Sequence, residues 1–477
     1  MPANSASDTV RVRIAPSPTG FLHIGTARTA LFNWLFAKKM GGKFIFRIED
    51  TDLERSEKRF EDDIIEGLQW LGLQWDEGPF RQSERLDTYE HALRELLDKG
   101  LAYYCECTKE QLDRDRKAQQ EEGKAPIYLG ACRDKHVPPE RGQVIRFRVP
   151  EHETVSFDDM IRGTISFETD LIGDLAIAKN LRTPLYNFAV VVDDHEMRMS
   201  HVIRGEDHIA NTPKQILIAR ALGFTPPVFA HLPLILDPDR SKMSKRHAAT
   251  SLKEYRDQGY LPDALVNFIA LLGWHPLDDK EKMPRAEIIE KFDISRVQKG
   301  GAVFDVQKLN WLNAEYIKEK SGEELLAMLI NLYGEEKVLF RDAPSTVKLL
   351  EAGKMRMEKL GDYQSLRDSF LPHAYDGALL IGKKNTREDA AVHLSKCQEI
   401  IRSILVDEFT QGNLEAMLMP YANNEGRAAV LWPLRVALSG QERSPGPFEI
   451  MAIIGKDESL DRIALAIVKL AGSSSAA

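Results

Sequence analysis

The chain has 477 residues, of which 43% are hydrophobic and 29% charged, and its length predicts about two to four domains of ordinary composition. Four cysteines exclude a disulfide scaffold, and the sequence has neither a secretory leader nor an apolar run of the ~20 residues that cross a membrane, so we expect a cytoplasmic protein that does not enter membranes. The net charge of −9 excludes a global attraction to nucleic acid but not a local basic face.

The N-terminal segments predict a βαβ unit of a parallel sheet. VRVRIAPS is a strand that ends at Pro16, and the apolar residues from Ala27 to Leu35 recur at helical spacing until a Gly-Gly pair stops the helix. KFIFRIED is the second strand, and IIEGLQWLGLQW predicts a further helix. A strand, helix and strand this close together imply a right-handed crossover.

The middle of the chain predicts an insertion between two halves of the sheet. It contains the charged helix KEQLDRDRKAQQEEGK, three of the four cysteines and the short strands VIRFRV and GTISF. The apolar pattern YNFAVVVDD predicts a return to a buried strand, followed by the helix QILIARALGF and the strand HLPLILD. After about residue 310 only helical patterns remain, such as EELLAMLINLYG and LDRIALAIVKLA.

The turn from Ala15 to Thr26 follows the first strand, at the sheet edge where parallel α/β sheets bind ligands. Gly20 and Gly25 allow a close backbone approach, and the following helix N-terminus attracts phosphate. His23 lies on this turn and is placed to hydrogen-bond a phosphate oxygen as charge develops. A satisfied surface histidine is the alternative interpretation.

A second candidate phosphate element is the hexapeptide SKMSKR at residues 241–246, which follows the strand LPLILD. Three cations and two hydroxyls in six residues form a compact anion clamp, although a solvated basic loop has the same composition. The two elements lie about 220 residues apart and flank the two halves of the predicted sheet.

HIGT together with KMSKR resembles the signature pair of the class I aminoacyl-tRNA synthetases. The strings RIAPSPTGFLHIGTARTALFN, FRIEDTDLERS, VIRGEDHIANTPKQ and SKMSKRHAATSL resemble the bacterial-type glutamyl-tRNA synthetases, and LLGWHP, KLNWLNAEYI and GRAAVLWPLRVALSG extend the resemblance over nearly the whole chain. The family implies an α/β fold with a Rossmann-type parallel sheet, an inserted acceptor-end domain and an all-α anticodon-binding region. We place these at residues 1–91 and 186–236 (sheet), 92–185 (insertion), 237–310 (stem-contact region with the KMSKR loop) and 311–477 (helical region).

The resemblance implies ATP-dependent attachment of L-glutamate to tRNA(Glu) through glutamyl-adenylate, with Mg²⁺ accompanying ATP, in a cytoplasmic monomer. Whether tRNA(Gln) is also a substrate stays open. His23, Lys242 and Lys245 are the implied catalytic residues, and the implied ATP-binding set is Thr19, Gly20, His23, Gly25, Lys242 and Lys245. Thr26 and Arg246 depart from the commoner final residues of the two signatures.

The same resemblance implies a glutamate pocket. Arg13 and Arg204 hold the two carboxylates, with Arg204 on the side-chain group, and Glu49 receives the α-amino group. The pocket is completed by Ala15, Ser17 and Tyr186. Val190 stands where some relatives have asparagine. A buried guanidinium at position 204 argues against the glutamine-specific synthetases, because a neutral amide would leave it unpaired.

Cys105, Cys107 and Cys132 read C-x-C-x24-C, a spacing that favours a structural Zn²⁺. In relatives the fourth ligand is a histidine at the position of Asp134, which can supply a weaker oxygen ligand; Tyr128 and His136 are alternatives, and so are three metal-free thiols. Cys397 is expected to be a buried helical residue.

The helical C-terminal third would read the anticodon. Its candidate cationic cluster (Lys354, Arg356 and Lys359) is equally typical of a solvated helix face. Three other functions are compatible with parts of the sequence: that of a shorter tRNA-modifying relative, that of a non-catalytic tRNA-binding protein and that of a small-molecule nucleotidyltransferase. The helical third and the insertion argue against the first and the last, and the intact signature residues argue against the second.

Overall fold

The computed structural model describes residues 9–52, 54–241, 243, 251–383 and 385–472. The chain divides into two units, residues 1–312 and 313–477. The strands of the first unit are β1 (Arg11–Ile14), β2 (Lys43–Ile48), β3 (Glu77–Arg81), β4 (Ala102–Cys105), β5 (Val144–Phe147), β6 (Thr154–Asp159), β7 (Gly163–Glu168), β8 (Leu175–Asn180), β9 (Thr183–Pro184), β10 (His201–Gly205), β11 (Val228–Leu232), β12 (Ile235–Leu236) and β13 (Ala302–Val303).

Ten helices begin in the described part of the first unit, and the last of them contains the division point. They are α1 (Ile24–Met40), α2 (Lys58–Trp70), α3 (Leu86–Asp98), α4 (Lys109–Glu121), α5 (Tyr186–Glu196), α6 (Thr212–Ala221), α7 (Leu252–Asp257), α8 (Pro262–Ala270), α9 (Arg285–Lys291) and α10 (Val306–Lys318).

The predicted βαβ unit is confirmed. β1 pairs in parallel with β2, with Arg11 opposite Lys43, and β2 pairs in parallel with β3. Between them α1 ends at Gly41, whose φ of 62° is left-handed and suits glycine. A side chain at Gly42 would meet the Val10 carbonyl oxygen at 2.3 Å, so the second glycine allows the helix end to approach β1.

The second half of the parallel sheet lies beside the first. β10 pairs in parallel with β11, and the Ser200 N–H donates to the Arg11 carbonyl oxygen over 3.0 Å, next to β1. The carboxyl ends of β1, β2 and β10 therefore face the same edge, where ligands bind in such sheets.

The insertion contributes to two different sheets. β4, β5, β8 and β9 form an antiparallel sheet of their own, whereas the hairpin of β6 and β7 pairs with β11 through Asp159 opposite Phe229. The hairpin thus extends the central sheet and carries Asp159 to its interior.

The strand predicted for YNFAVVVDD is wrong: these residues begin α5. Phe188 to Val192 are all buried, because α5 is covered by α3, α6 and β8. A helix buried on every side has no polar face, so its sequence lacks the 3.6-residue period and reads like a buried strand. The helix predicted for IIEGLQWLGLQW also stops early, at Trp70, ahead of Gly72 with φ 68°.

All regular secondary structure among the described residues of the second unit is helical, as predicted. Its helices are α11 (Gly322–Tyr333), α12 (Glu335–Val338), α13 (Ala343–Gly353), α14 (Tyr363–Asp368), α15 (Arg387–Ser403), α16 (Gln411–Glu425), α17 (Arg427–Ser439), α18 (Pro447–Ile454) and α19 (Lys456–Gly472). Capping boxes start α11 (Ser321 with Glu324) and α15 (Thr386 with Asp389). Among the described residues, no helix has both the length and the apolarity to cross a membrane.

Candidate active site

His23 is the N-cap residue of α1. The Thr26 N–H donates to His23 Nδ1 over 3.3 Å, and Thr26 Oγ1 lies 3.0 Å from Nε2. A Cβ atom on Gly25 would lie 3.0 Å from the imidazole, so glycine at this position avoids a steric clash with the ring. The imidazole is exposed at the positive end of α1, where helix dipole and free N–H groups favour an anion.

Two residues that follow the second signature in sequence contact the His23 turn. Ser251 forms a β-bridge with His23, and the Leu252 N–H donates to the Leu22 carbonyl oxygen over 2.7 Å. Lys242 and Lys245 lie outside the described residues, as do Ser244 and Arg246. The end of the loop that follows them is therefore adjacent to the imidazole. Of the other predicted ATP-binding residues, Thr19 is exposed and Gly20 half-buried on the same turn.

A network of buried charges lies at the ends of β1 and β2. Asp194, from the last turn of α5, accepts from Arg13 Nε and Nη2 at 3.2 and 3.3 Å. It also accepts from Arg47 Nη1 at 2.8 Å, and Arg47 Nη2 donates to Glu49 Oε1 over 3.2 Å. The network brings together the predicted residues Arg13 and Glu49.

Glu49 and Asp194 differ in their electrostatic balance. Burial raises the pKa of Glu49, and the charges of Arg47 and Arg13 offset only part of this effect. Burial acts in the same direction on Asp194, but Arg13 and Arg47 together outweigh it and lower that pKa below its usual value. Glu49 is therefore the carboxylate that gains most from a further cation, such as a ligand ammonium group.

Arg204, at the carboxyl end of β10, is buried with an incomplete set of partners. Its Nη2 donates to Thr212 Oγ1 over 2.7 Å and its Nε to His231 Nε2 over 3.3 Å. Nη1 is buried without a hydrogen-bond partner. Burial lowers the pKa of Arg204, which indicates that the pocket lacks a fully compensating anion.

Tyr186, the first residue of α5, lies among these groups. Burial raises the pKa of its phenol; the charge of Glu49 adds to this effect, and those of Arg204 and Arg13 oppose it. Its hydroxyl lies 3.1 Å from His208 Nδ1. The predicted residues Arg13, Glu49 and Arg204 therefore lie close enough to Tyr186 for their charges to act on its phenol.

The remaining predicted pocket residues lie on the turn after β1. The carbonyl oxygen of Pro16, between Ala15 and Ser17, accepts from the Glu49 N–H over 3.0 Å, which ties the turn to the end of β2. Ala15 is half-buried and Ser17 exposed. Val190 is fully buried in the hydrophobic core, one turn along α5 from Tyr186.

Sequence reasoning missed Asp194, Arg47, His231 and Asp159. Arg47 and Asp194 could have been found, because their charges interrupt or end the apolar runs FRIED and VVVDD. A charge in such a run is buried only when it is paired, so the two sequences together predict a buried ion pair. Asp159 and His231 carried no such signal, since they are 72 residues apart and meet only through the hairpin that pairs with β11.

The three inserted cysteines are brought together. Their sulfur atoms all lie within 4.8 Å of one another. The Tyr128 hydroxyl lies 3.3 Å from Cys105 Sγ and 3.5 Å from Cys107 Sγ. The predicted fourth ligand, Asp134, is not in this group: it is exposed and its Oδ1 accepts from Arg148 over 3.0 Å.

His136 is exposed, whereas Cys397 lies buried on α15, as predicted. Within the predicted cationic cluster, Lys354 Nζ lies 2.7 Å from Glu351 Oε2, and Arg356 Nη2 lies 2.7 Å from Glu449 Oε1. These two cations are thus already paired with carboxylates of their own unit.

Residues 9–311 match the family model described as "tRNA synthetases class I (E and Q), catalytic domain", and residues 315–467 match that of an anticodon binding domain. The chain is 43% identical to a glutamate--tRNA ligase of Desulforamulus reducens, with 96% of this chain and 99% of the relative covered. It is 45% identical to that of Thermodesulfovibrio yellowstonii, with 95% and 98% covered.

A crystal structure of a glutamate tRNA ligase from Elizabethkingia meningosepticum, in complex with its amino acid, superposes with a TM-score of 0.87 at 34% identity and covers 97% of this chain and 100% of that one. Both the family models and these full-length relatives agree with the two signatures and with the fold. The chain belongs to the glutamate--tRNA ligases, within the class I tRNA synthetases.

Proposed function

We propose that this protein attaches L-glutamate to tRNA(Glu), using ATP to form glutamyl-adenylate as the intermediate. The observation that carries the proposal is the cluster of buried charged side chains around Tyr186. It offers a guanidinium nitrogen without a protein partner, on Arg204, and a carboxylate, Glu49, whose pKa is raised by burial. This charge pattern complements an amino acid with an acidic side chain.

The pocket residues divide the three charges of glutamate between them. Arg204 Nη1 donates to the side-chain carboxylate, and Tyr186 completes that end. Glu49 accepts from the α-ammonium group. Asp194 binds the Arg13 guanidinium through Nε and Nη2. Arg13 donates to the α-carboxylate of glutamate, and one oxygen of that carboxylate remains free to react.

Adenylate formation is an in-line attack of that oxygen on the α-phosphorus of ATP, with pyrophosphate as leaving group. The charge that spreads over the phosphate oxygens is stabilised by His23 at the N-terminus of α1, and by Lys242 and Lys245. Mg²⁺ bound to the triphosphate supplies further charge neutralisation. A hydroxyl of the terminal adenosine of tRNA then attacks the glutamyl carbonyl and releases AMP.

The cysteine group fits a structural Zn²⁺, with the alternative fourth ligand Tyr128 in place of Asp134. The three thiols, within 4.8 Å of one another, would hold the ion. The phenol of Tyr128, which lies against two of the sulfur atoms, would complete the ligand set. Asp134 is engaged by Arg148 instead. The metal would tie the end of β4 to the loop of residues 128–132.

The helical second unit supports tRNA binding, in agreement with its match to an anticodon binding domain. Contacts to unstacked anticodon bases would come from this unit, and the acceptor end would enter through the insertion. We include tRNA(Gln) among the substrates to test, because the pocket selects the amino acid and not the tRNA.

The direct test is charging of purified tRNA(Glu) and tRNA(Gln) with labelled glutamate and ATP. We expect glutamyl-tRNA(Glu), with one AMP released per molecule charged, and pyrophosphate exchange that requires tRNA. Folded protein that binds tRNA(Glu) but charges neither tRNA would contradict the proposal in favour of a non-catalytic tRNA-binding protein. Exchange that runs fully without tRNA would contradict the tRNA requirement.

A further inference from the structure

A buried aspartate–histidine pair lies directly behind Arg204. Asp159 Oδ2 lies 2.6 Å from His231 Nδ1, and both side chains are fully buried. On the far side of the ring, His231 Nε2 lies 3.3 Å from Arg204 Nε. The hairpin of β6 and β7 supplies the aspartate, β11 the histidine and β10 the arginine.

The hydrogen bonds around Asp159 decide which nitrogen of the imidazole carries the proton. Asp159 Oδ1 accepts from the backbone N–H groups of Ile161 at 3.0 Å, Arg162 at 2.9 Å and His231 at 3.3 Å. With that oxygen occupied, Oδ2 takes the His231 Nδ1 proton. Nε2 is left as a lone pair, which faces the Arg204 Nε–H and also the Thr212 hydroxyl, whose Oγ1 lies 3.0 Å away.

A protonated imidazole would set one N–H group against another at this contact. Burial lowers the pKa of His231, and the positive charge of Arg204 adds to this effect. Hydrogen bonds from His231 and from the backbone outweigh burial at Asp159 and lower its pKa. The groups therefore favour an aspartate anion and a neutral imidazole.

We infer that Asp159 and His231 are positioning residues that hold the Arg204 guanidinium and thereby set the preference for a side-chain carboxylate over a carboxamide. His231 fixes Nε and Thr212 fixes Nη2, so the plane of the guanidinium cannot rotate and Nη1 is left for the ligand. A guanidinium without these anchors would turn toward other acceptors. The inference rests on the proposed function, because it explains how that function selects glutamate.

Two substitutions of His231 separate positioning from packing. His231→Gln keeps an acceptor at the distance of Nε2, whereas His231→Asn keeps only a donor at the distance of Nδ1. We expect His231→Asn to raise the KM for glutamate by about tenfold or more and to lower the preference for glutamate over glutamine, with the KM for ATP unchanged. His231→Gln should restore most of the loss.

Asp159→Asn and Thr212→Val test the same series of hydrogen bonds at its two ends. The first replaces the acceptor of the Nδ1 proton by a donor and should resemble His231→Asn. The second removes the hydroxyl that accepts from Arg204 Nη2 and lies 3.0 Å from His231 Nε2. Because valine is isosteric with threonine, this variant keeps the proposal testable if the His231 variants fail to fold. Charging kinetics, calorimetric titration with glutamate and thermal melting are measured on each full-length variant.

A wild-type KM for glutamate in both His231→Asn and Thr212→Val would overturn the inference. Equal losses in the asparagine and glutamine variants, or a parallel rise in the KM for ATP, would also overturn it, because they indicate packing. Wild-type protein that neither binds nor charges glutamate contradicts the proposed function itself. If the wild-type protein binds glutamate but does not charge tRNA, the glutamate affinities of the variants, measured by calorimetric titration, test the positioning role.

Discussion

The polar pocket concentrates its selectivity in single side chains whose charges lack full compensation within the protein. Arg204 is the strongest case, because its burial lowers its pKa and its Nη1 has no partner. In the proposed glutamate complex, a ligand carboxylate would supply the missing anion. The energetic benefit of binding is large for such a group, since an unpaired buried charge is costly.

Arg204→Ala should therefore lose glutamate specifically. We expect kcat/KM for glutamate to fall by about 100-fold or more, the range for a buried charge-assisted contact, while the KM for ATP stays unchanged. Arg182→Ala is a matched control, because Arg182 pairs with Asp87 and Glu90 on the exposed surface. Equal effects of both substitutions on the KM for glutamate would contradict the assignment of Arg204.

Glu49 predicts a trade-off between stability and binding. Its folded pKa is raised by burial, so the folded state binds a proton more readily than the unfolded state, and the free energy of unfolding falls as pH rises through the raised pKa. Glu49→Gln removes this penalty. We expect the variant to be more stable at neutral pH by about 1 kcal/mol and to bind glutamate poorly, because the acceptor of the ammonium group loses its charge.

Thermal unfolding at pH 5 and pH 8 measures the stability part of this prediction. The gain of Glu49→Gln over wild type should be larger at the higher pH. A variant that is less stable than wild type at pH 8, or that keeps the wild-type KM for glutamate, would show that Glu49 is only an ion-pair partner of Arg47.

At the scale of elements, local signals predicted what neighbours in sequence decide. The strands β1 and β2, the end of α1 at Gly41 and the capping box of α11 at Ser321 all carry their cause within a few residues. The helical conformation of α5 could not be predicted from local signals, because its burial on all sides depends on elements far along the chain. The same holds for Asp159, which reaches His231 only when the inserted hairpin pairs with β11.

The cysteine group links two elements of the insertion, β4 and the loop of residues 128–132. We expect about one zinc per chain in the purified protein, lost in Cys105→Ser/Cys107→Ser. Tyr128→Phe should retain zinc with an affinity lowered by tenfold or more in a chelator competition, roughly the loss of one ligand.

Asp134→Asn is the matched control for that experiment, because Asp134 pairs with Arg148 instead of facing the sulfur atoms. Its zinc content and chelator resistance should equal those of wild type. Zinc content is measured by elemental analysis with mass spectrometry. If Asp134→Asn loses zinc and Tyr128→Phe keeps the wild-type zinc content and affinity, the fourth ligand is Asp134.

For the whole molecule, the net charge of −9 means that tRNA must be recognised by local cationic groups against an unfavourable overall field. Such contacts release counterions and weaken steeply with salt. The proposed glutamate site is different, because its ion pairs are buried and little screened. Salt therefore separates the two binding events within one chain.

We expect the KM for tRNA(Glu) to rise by at least about tenfold between 50 and 200 mM KCl, with the KM for glutamate changing by less than about twofold. Charging kinetics at saturating levels of the other substrates measure both. A parallel rise of the two constants would indicate that salt perturbs the fold or that the glutamate pocket is open to solvent. Because buried carboxylates such as Asp194 hold the arginines of that pocket, the second possibility would contradict the electrostatic basis of glutamate selection as well.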